Sequence, residues 1–162
     1  MGDLFAEVAA RAKAEDRAYL MEHECKAVLE GLGISTTGSQ VARSEEEAVR
    51  MAEAIGYPVV LKIVSPEVVH KSDVGGVKLD LKGAEEVRQA FIEIREAFGE
   101  KKIVGVAVQR MAPPGTEAIV GVARDPTFGP ILMFGLGGIF VEILRDVSLR
   151  SIPITEADAE DM

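Results

Sequence analysis

Gly56-Tyr57-Pro58-Val59-Val60-Leu61-Lys62-Ile63-Val64 runs into Ser65-Pro66, and shortly after comes His70-Lys71-Ser72-Asp73-Val74-Gly75-Gly76-Val77. The apolar run after Pro58 reads as a buried strand. Lys62 interrupts it. A lysine inside such a strand is costly unless its ammonium meets an anion. The competing reading is an edge position from which the amine reaches water. The loop that follows offers a cation, a hydroxyl and two glycines that let backbone amides approach a phosphate closely. Taken alone, it reads equally well as a surface hairpin turn. Beyond it, Val77, Leu79 and Leu81 alternate with Lys78, Asp80 and Lys82, which predicts a half-exposed strand.

Upstream, Ser44-Glu45-Glu46-Glu47 is a capping box: Ser44 accepts from the N3 amide while Glu47 reaches back. The helix it opens buries Ala48, Met51, Ala52 and Ile55, and Gly56 ends it. Ile34 to Val41 reads as a short strand. Two helices precede it, one over Asp3 to Asp16 with Asp3 as cap, the other from about Tyr19 to Glu30, stopped by Gly31 and Gly33. Downstream, Ala84 to Phe98 is amphipathic, with Val87, Ala90, Phe91, Ile94 and Phe98 on one side. Ile103 to Met111 reads as a strand that Pro113-Pro114-Gly115 turns into another, Glu117 to Val122. Asp125-Pro126 starts a turn, Ile131 to Phe134 and Ser148 to Ile152 are short strands, and Thr155 caps a helix. Helices alternating with strands, with hairpin turns among them, predict an α+β arrangement rather than a regular doubly wound sheet.

Composition excludes several functions. The chain of 162 residues is 48% hydrophobic and 28% charged, the balance of a globular domain rather than a disordered one. Its net charge of −9 repels nucleic acid, and the absence of Trp removes the best base-stacking side chain. No apolar run approaches membrane-spanning length, and the first residues lack the basic start and apolar core of a signal peptide. Cys25 is the only cysteine, so no internal disulfide forms, which fits a reducing cytoplasm. His23 and Cys25 have no second ligand pair for zinc. There is no G-x-x-x-x-G-K-[ST] loop, and Gly135-Leu136-Gly137-Gly138-Ile139-Phe140 fails the dinucleotide fingerprint because Phe140 stands where its last glycine belongs. Gln109 and Met111 end one strand and Glu117 begins the next. A Met packing on a ring beside an amide at its polar edge is a way to hold adenine; a core Met beside a solvated Gln is the plainer reading.

The blocks Gly56–Ile63, Ser65-Pro66 and His70–Val77 resemble the ATP-grasp (beta) subunit of ADP-forming acetyl-CoA synthetases, the NDP-forming acyl-CoA synthetase family. So do Gly115-Thr116-Glu117, Gly121 to Pro130, Met133 through Gly138 to Glu142, Arg145-Asp146 and Pro153, in order over nearly the whole chain. The resemblance implies an ATP-grasp fold with two α+β subdomains, the first over about 19–106 and the second over about 1–18 plus 107–162, incomplete at the C-terminus. It implies the reversible exchange of acyl-CoA, ADP and phosphate for acid, CoA and ATP through a phosphohistidine. Lys62 then matches the lysine on the nucleotide phosphates, and Lys71, Ser72, Gly75 and Gly76 match the phosphate loop. Gln109 and Met111 lie at the adenine hinge, Glu117 falls at a ribose or adenine contact, and His70 relays phosphoryl. ATP or ADP and Mg²⁺ are the implied cofactors. The magnesium ligands, which include an Asn, are expected beyond Met162, since this chain has no Asn and no metal site of its own. CoA binding and the main phosphohistidine belong to an alpha subunit or domain, so a hetero-oligomer is expected. On this reading the 162 residues alone turn over no ATP, and apolar positions such as Ile131, Met133 and Ile139 are exposed and seek a partner. Two other functions fit the same blocks: the ATP-grasp region of a protein lysine acetyltransferase, and a non-catalytic nucleotide-binding module.

Overall fold

Residues 2–68, 75–99, 103–138 and 147–162 are described by a computed structural model; the loop residues His70, Lys71 and Ser72, and also Ile139 and Phe140, lie outside them. Helices α1 (Gly2–Ala14), α2 (Glu22–Gly31), α3 (Glu45–Ile55) and α4 (Ala84–Phe98) and strands β1 (Gln40–Ala42), β2 (Val59–Val64), β3 (Val77–Leu81) and β4 (Gly105–Arg110) form one unit, Met1–Ala112. Strands β5 (Ala118–Asp125), β6 (Gly129–Leu136) and β7 (Val147–Ser151), with the short helix α5 (Glu156–Asp161), form a second, Pro113–Met162.

The first unit is an antiparallel sheet of order β1-β4-β2-β3. Side chains alternate between its faces, and β2 and β4 show what that alternation separates. Val59, Leu61 and Ile63 with Val106 and Val108 meet Ala48 and Ala52 of α3 and Val87, Ala90, Phe91 and Ile94 of α4 in the main core. Each large aliphatic side chain buried there stabilises the fold by roughly 1.5–3 kcal/mol. Val60, Lys62, Val64, Ala107 and Gln109 fall on the opposite face, where Lys62 pairs in register with Ala107 and Val60 with Gln109. A smaller cluster of Met21, Val64 and Ala107 packs on that side.

Ser44 Oγ accepts from Glu47 N at 3.3 Å as the capping box requires, but Glu47 reaches one residue further back and accepts from Arg43 N at 2.7 Å. Leu79 departs from the expected alternation and is 59% exposed. The pairing of β2 with β3 slips between Val59 and Leu61, so β3 carries an extra residue there, with Asp80 at φ 57. A bulge of this kind turns its neighbours out of phase with the strand. The short strand expected over Ile34–Val41 is confined to Gln40–Ala42.

Gly105 opens β4 where the chain passes β1. A Cβ built there would stand 2.5 Å from Ala42 O and 2.6 Å from Val41 Cγ1. Backbone cannot yield as a flexible side chain does, so Gly105→Ala is expected to destabilise the first unit by about 1–3 kcal/mol. A fall in denaturant midpoint with unchanged slope would report it; an unchanged midpoint would show that β1 moves aside freely.

The strands on either side of Pro113-Pro114-Gly115 do not form the expected hairpin. β4 pairs with β1 and β2, whereas β5 pairs with β6 in the other unit, so this segment joins two sheets. Register also keeps all of β4 to Arg110 with the first unit, and α1 is tied there through Arg11 and Glu24. The boundary therefore falls after Ala112, and residues 2–18 and 107–112 go with the first unit.

In the second unit, Asp125 Oδ1 accepts from Thr127 N at 2.8 Å and Phe128 N at 2.9 Å. These amides, Phe128 first, hold the Asp125 carboxyl below its usual range and close the β5–β6 turn, with Gly129 at φ 76. Thr155 Oγ1 accepts from Asp158 N, capping α5 as expected. The exposed apolar side chains of this sheet include Val120, Val122, Phe134 and Leu136, which share one face by register. Ile131 and Met133 fall on the other face and are half-buried, so they are not the exposed positions expected; Ile139 is outside the described residues.

Candidate functional site

The polar face of the first sheet gathers residues from three elements. α2 presents Glu22 and Lys26, four residues apart and thus on one helical face. β2 contributes Lys62 and β4 contributes Gln109. Glu22 Oε1 accepts from Lys62 Nζ at 2.7 Å and from Gln109 Nε2 at 3.0 Å, and lies 3.5 Å from Lys26 Nζ. Lys26 Nζ donates to Thr37 Oγ1 at 2.7 Å, Gln109 Oε1 at 2.8 Å and Gly38 O at 3.3 Å.

The two lysines are in different conditions. An ammonium has three N–H groups, and those of Lys26 are matched by three acceptors within the fold. Burial lowers the Lys26 pKa; Glu22 opposes this and Lys62 adds to it. Lys62 donates to Glu22, and its side chain is 27% exposed. It is the cation of this pair with donors left for a ligand. Lys62 is not at an edge: it stands on the second face of the inner strand β2, where its ammonium meets the Glu22 carboxylate as an anion.

The loop exit lies beside it. Ile63 N donates to the carbonyl of buried Gly76 at 2.8 Å, and Lys62 pairs with Val77. Gly75, at φ 71, takes the left-handed conformation that glycine adopts without strain. Gly75 and Gly76 are thus placed next to Lys62, while His70, Lys71 and Ser72 are outside the described residues. Gln109 joins Lys62 through Glu22, but it is 2% exposed and both ends of its amide are engaged within the unit, so no free amide is left to read a base edge. Met111 is half-buried and its N donates to Pro58 O at 3.1 Å. Glu117 is exposed, belongs to the second unit, and packs its carboxylate against Gly138.

Glu22 and Lys26 are the members that sequence reasoning missed. Their spacing was visible, but an acid four residues before a lysine is equally the mark of a solvated helix face.

A cavity of about 650 Å³ in the first unit is lined by Arg11, Arg17, Glu24, Arg43 and Arg50 among others. Three of these charges are paired with one another: Arg17 donates twice to Glu24, at 2.9 Å each, and Arg11 adds a third bond at 3.2 Å. Among the described residues no group of three or more His, Cys, Asp or Glu is placed to hold a metal ion. No helix there is long and apolar enough to cross a membrane.

A model of the ATP-grasp domain matches residues 11–162. The beta subunit of acetate–CoA ligase [ADP-forming] I from Pyrococcus furiosus is 54% identical over 160 residues, covering 96% of this chain and 68% of that one. The chain belongs to the ATP-grasp family, on the branch of the ADP-forming acetate–CoA ligases. The ATP-grasp architecture is also that of the dinucleotide-forming acetyl-coenzyme A synthetase 1 of Ca. Korarchaeum cryptofilum, solved with coenzyme A and Ca-AMPCP. It superposes with a TM-score of 0.92 at 54% identity over 96% of this chain and 70% of its own. A second structure of that synthetase, with Mg-AMPPCP, has its phosphohistidine segment pointing towards the nucleotide-binding site; its TM-score is 0.84 at 52% identity, over 96% of this chain and 68% of that one. This ATP-grasp chain spans about two thirds of the length of those relatives. It spans a fifth of the acetate–CoA ligase [ADP-forming] I of Archaeoglobus fulgidus, 52% identical over 83% of this chain and 20% of that one.

Proposed function

We propose that this chain is the nucleotide-binding portion of a cytoplasmic ADP-forming acid–CoA ligase, which interconverts acyl-CoA, ADP and phosphate with acid, CoA and ATP. The observation that carries it is the Lys62 ammonium, partly exposed beside the Gly75-Gly76 loop exit, in a chain this similar to such ligases. Lys62 pairs with the nucleotide phosphates, and Lys71, Ser72 and the loop glycines surround them. Met111 packs on adenine and Glu117 meets its edge or the ribose, while Gln109 acts through the lysine network. His70 carries phosphoryl towards a histidine on a CoA-binding alpha subunit, which also supplies the CoA and acid pockets. Magnesium neutralises charge on the phosphates in phosphoryl transfer. On this reading Lys62 and the loop are the groups through which this chain meets the phosphates.

Lys62→Ala tests the nucleotide site. Losing a charge-assisted phosphate contact costs roughly 1.5–3 kcal/mol, which is about 10- to 150-fold in affinity. Calorimetric titration of the full-length protein with ADP is expected to show that loss. An affinity within about twofold of wild type would remove Lys62 from the phosphate site.

A further inference from the structure

Glu22 sits in the middle of the polar face, bonded through one oxygen to both Lys62 and Gln109. A carboxylate beside a phosphate-binding lysine opposes the phosphate by its charge. Its hydrogen bonds have the opposite effect. Lys26, saturated by Thr37, Gly38 and Gln109 Oε1, fixes the Gln109 amide with its nitrogen towards Glu22. Glu22, held in this way, holds the Lys62 ammonium in turn. A lysine is a point charge on a flexible four-carbon stem, and an ammonium that roams must be ordered at the moment of binding.

We propose that Glu22 is the positioning residue for Lys62, the last link of a chain Lys26–Gln109–Glu22–Lys62 that fixes the ammonium over β2 with its remaining N–H groups open to a nucleotide phosphate. This deepens, and rests on, the reading of Lys62 as a phosphate contact. Through this contact Glu22 acts on the nucleotide by way of Lys62, so the effect is lost when Lys62 is gone.

A double-mutant cycle on the full-length protein, read by calorimetric titration with ADP, tests this. Glu22→Ala is expected to weaken ADP binding roughly fivefold with Lys62 present, and by less than about 1.5-fold in the Lys62→Ala background. Glu22→Gln keeps an oxygen acceptor in place and is expected to bind ADP more tightly than Glu22→Ala. Equal losses from Glu22→Ala in the two backgrounds, the mark of a merely structural role, would overturn the proposal. So would a Glu22→Gln protein that binds no better than Glu22→Ala. Unchanged affinity in Lys62→Ala alone would overturn the reading of Lys62 and the proposal with it, and it appears in a separate arm of the cycle.

Discussion

Replacing His70 by alanine is expected to abolish nucleotide-dependent phosphorylation of the histidine on the CoA-binding partner while leaving ADP binding in place. Imidazole is a competent covalent nucleophile. A group that relays phosphoryl is needed for transfer rather than for holding the nucleotide, so its loss falls on the rate of labelling and not on affinity. The competing route is direct: the partner's histidine comes to the nucleotide itself, as the orientation of the phosphohistidine segment in the Ca. Korarchaeum synthetase with Mg-AMPPCP illustrates for that protein. Labelling of the assembled protein with radiolabelled ATP separates the two. Loss of label with ADP affinity retained supports the relay, and normal labelling of the variant would make His70 dispensable.

The second large effect is on stability. Arg17→Ala is expected to destabilise the first unit by about 3–5 kcal/mol, because it leaves Glu24 buried without its main partner. Glu24 is 3% exposed and Arg17 is 9% exposed, and together they tie the segment after α1 to α2. Burial alone would raise the Glu24 pKa from its ordinary 4.5. Hydrogen bonds from Arg17 and the Met21 amide, with the charges of their neighbourhood, outweigh it and bring it down to about 2. The folded-state pKa lies below the unfolded one, so this carboxylate contributes stability that is complete above about pH 4.5 and is lost as pH falls towards 2. The variant should therefore melt on the order of 10 °C lower near neutral pH, and the gap to wild type should narrow on acidification. A gap that stays constant from pH 7 to 2 would place the stabilisation in packing rather than in the ion pair.

Periodic elements could be read from the chain because their signal is local. Val87, Ala90, Phe91, Ile94 and Phe98 repeat at helical spacing and all are buried, and Ser44 and Thr155 cap where expected. What sequence could not supply was partnership at a distance. Pro113-Pro114-Gly115 between two apolar runs has the composition of a hairpin turn, and no residue in it tells that the flanking strands join different sheets. The bulge at Asp80 that exposes Leu79 likewise depends on register with β2. At the site, Lys62 stood out because a charge in an apolar strand is unusual. Glu22 and Lys26 did not, because charges on a helix are ordinary until the opposing sheet face is known. Gln109 stands out in the sequence as an amide beside a Met, and nothing local tells that its side chain is bonded to Lys26 and Glu22, contacts spanning more than eighty residues of chain.

The central claim is that this nucleotide site serves acid–CoA ligation. The most direct test is ATP formation by the full-length protein assembled with its CoA-binding partner, supplied with acetyl-CoA, ADP, phosphate and magnesium. The expected result is ATP released in step with free CoA, dependent on all three substrates and lost in Lys62→Ala. Nucleotide bound with no ATP formed from acetyl-CoA or other acyl-CoAs would contradict it and leave the chain a binding module or the regulatory region of another enzyme.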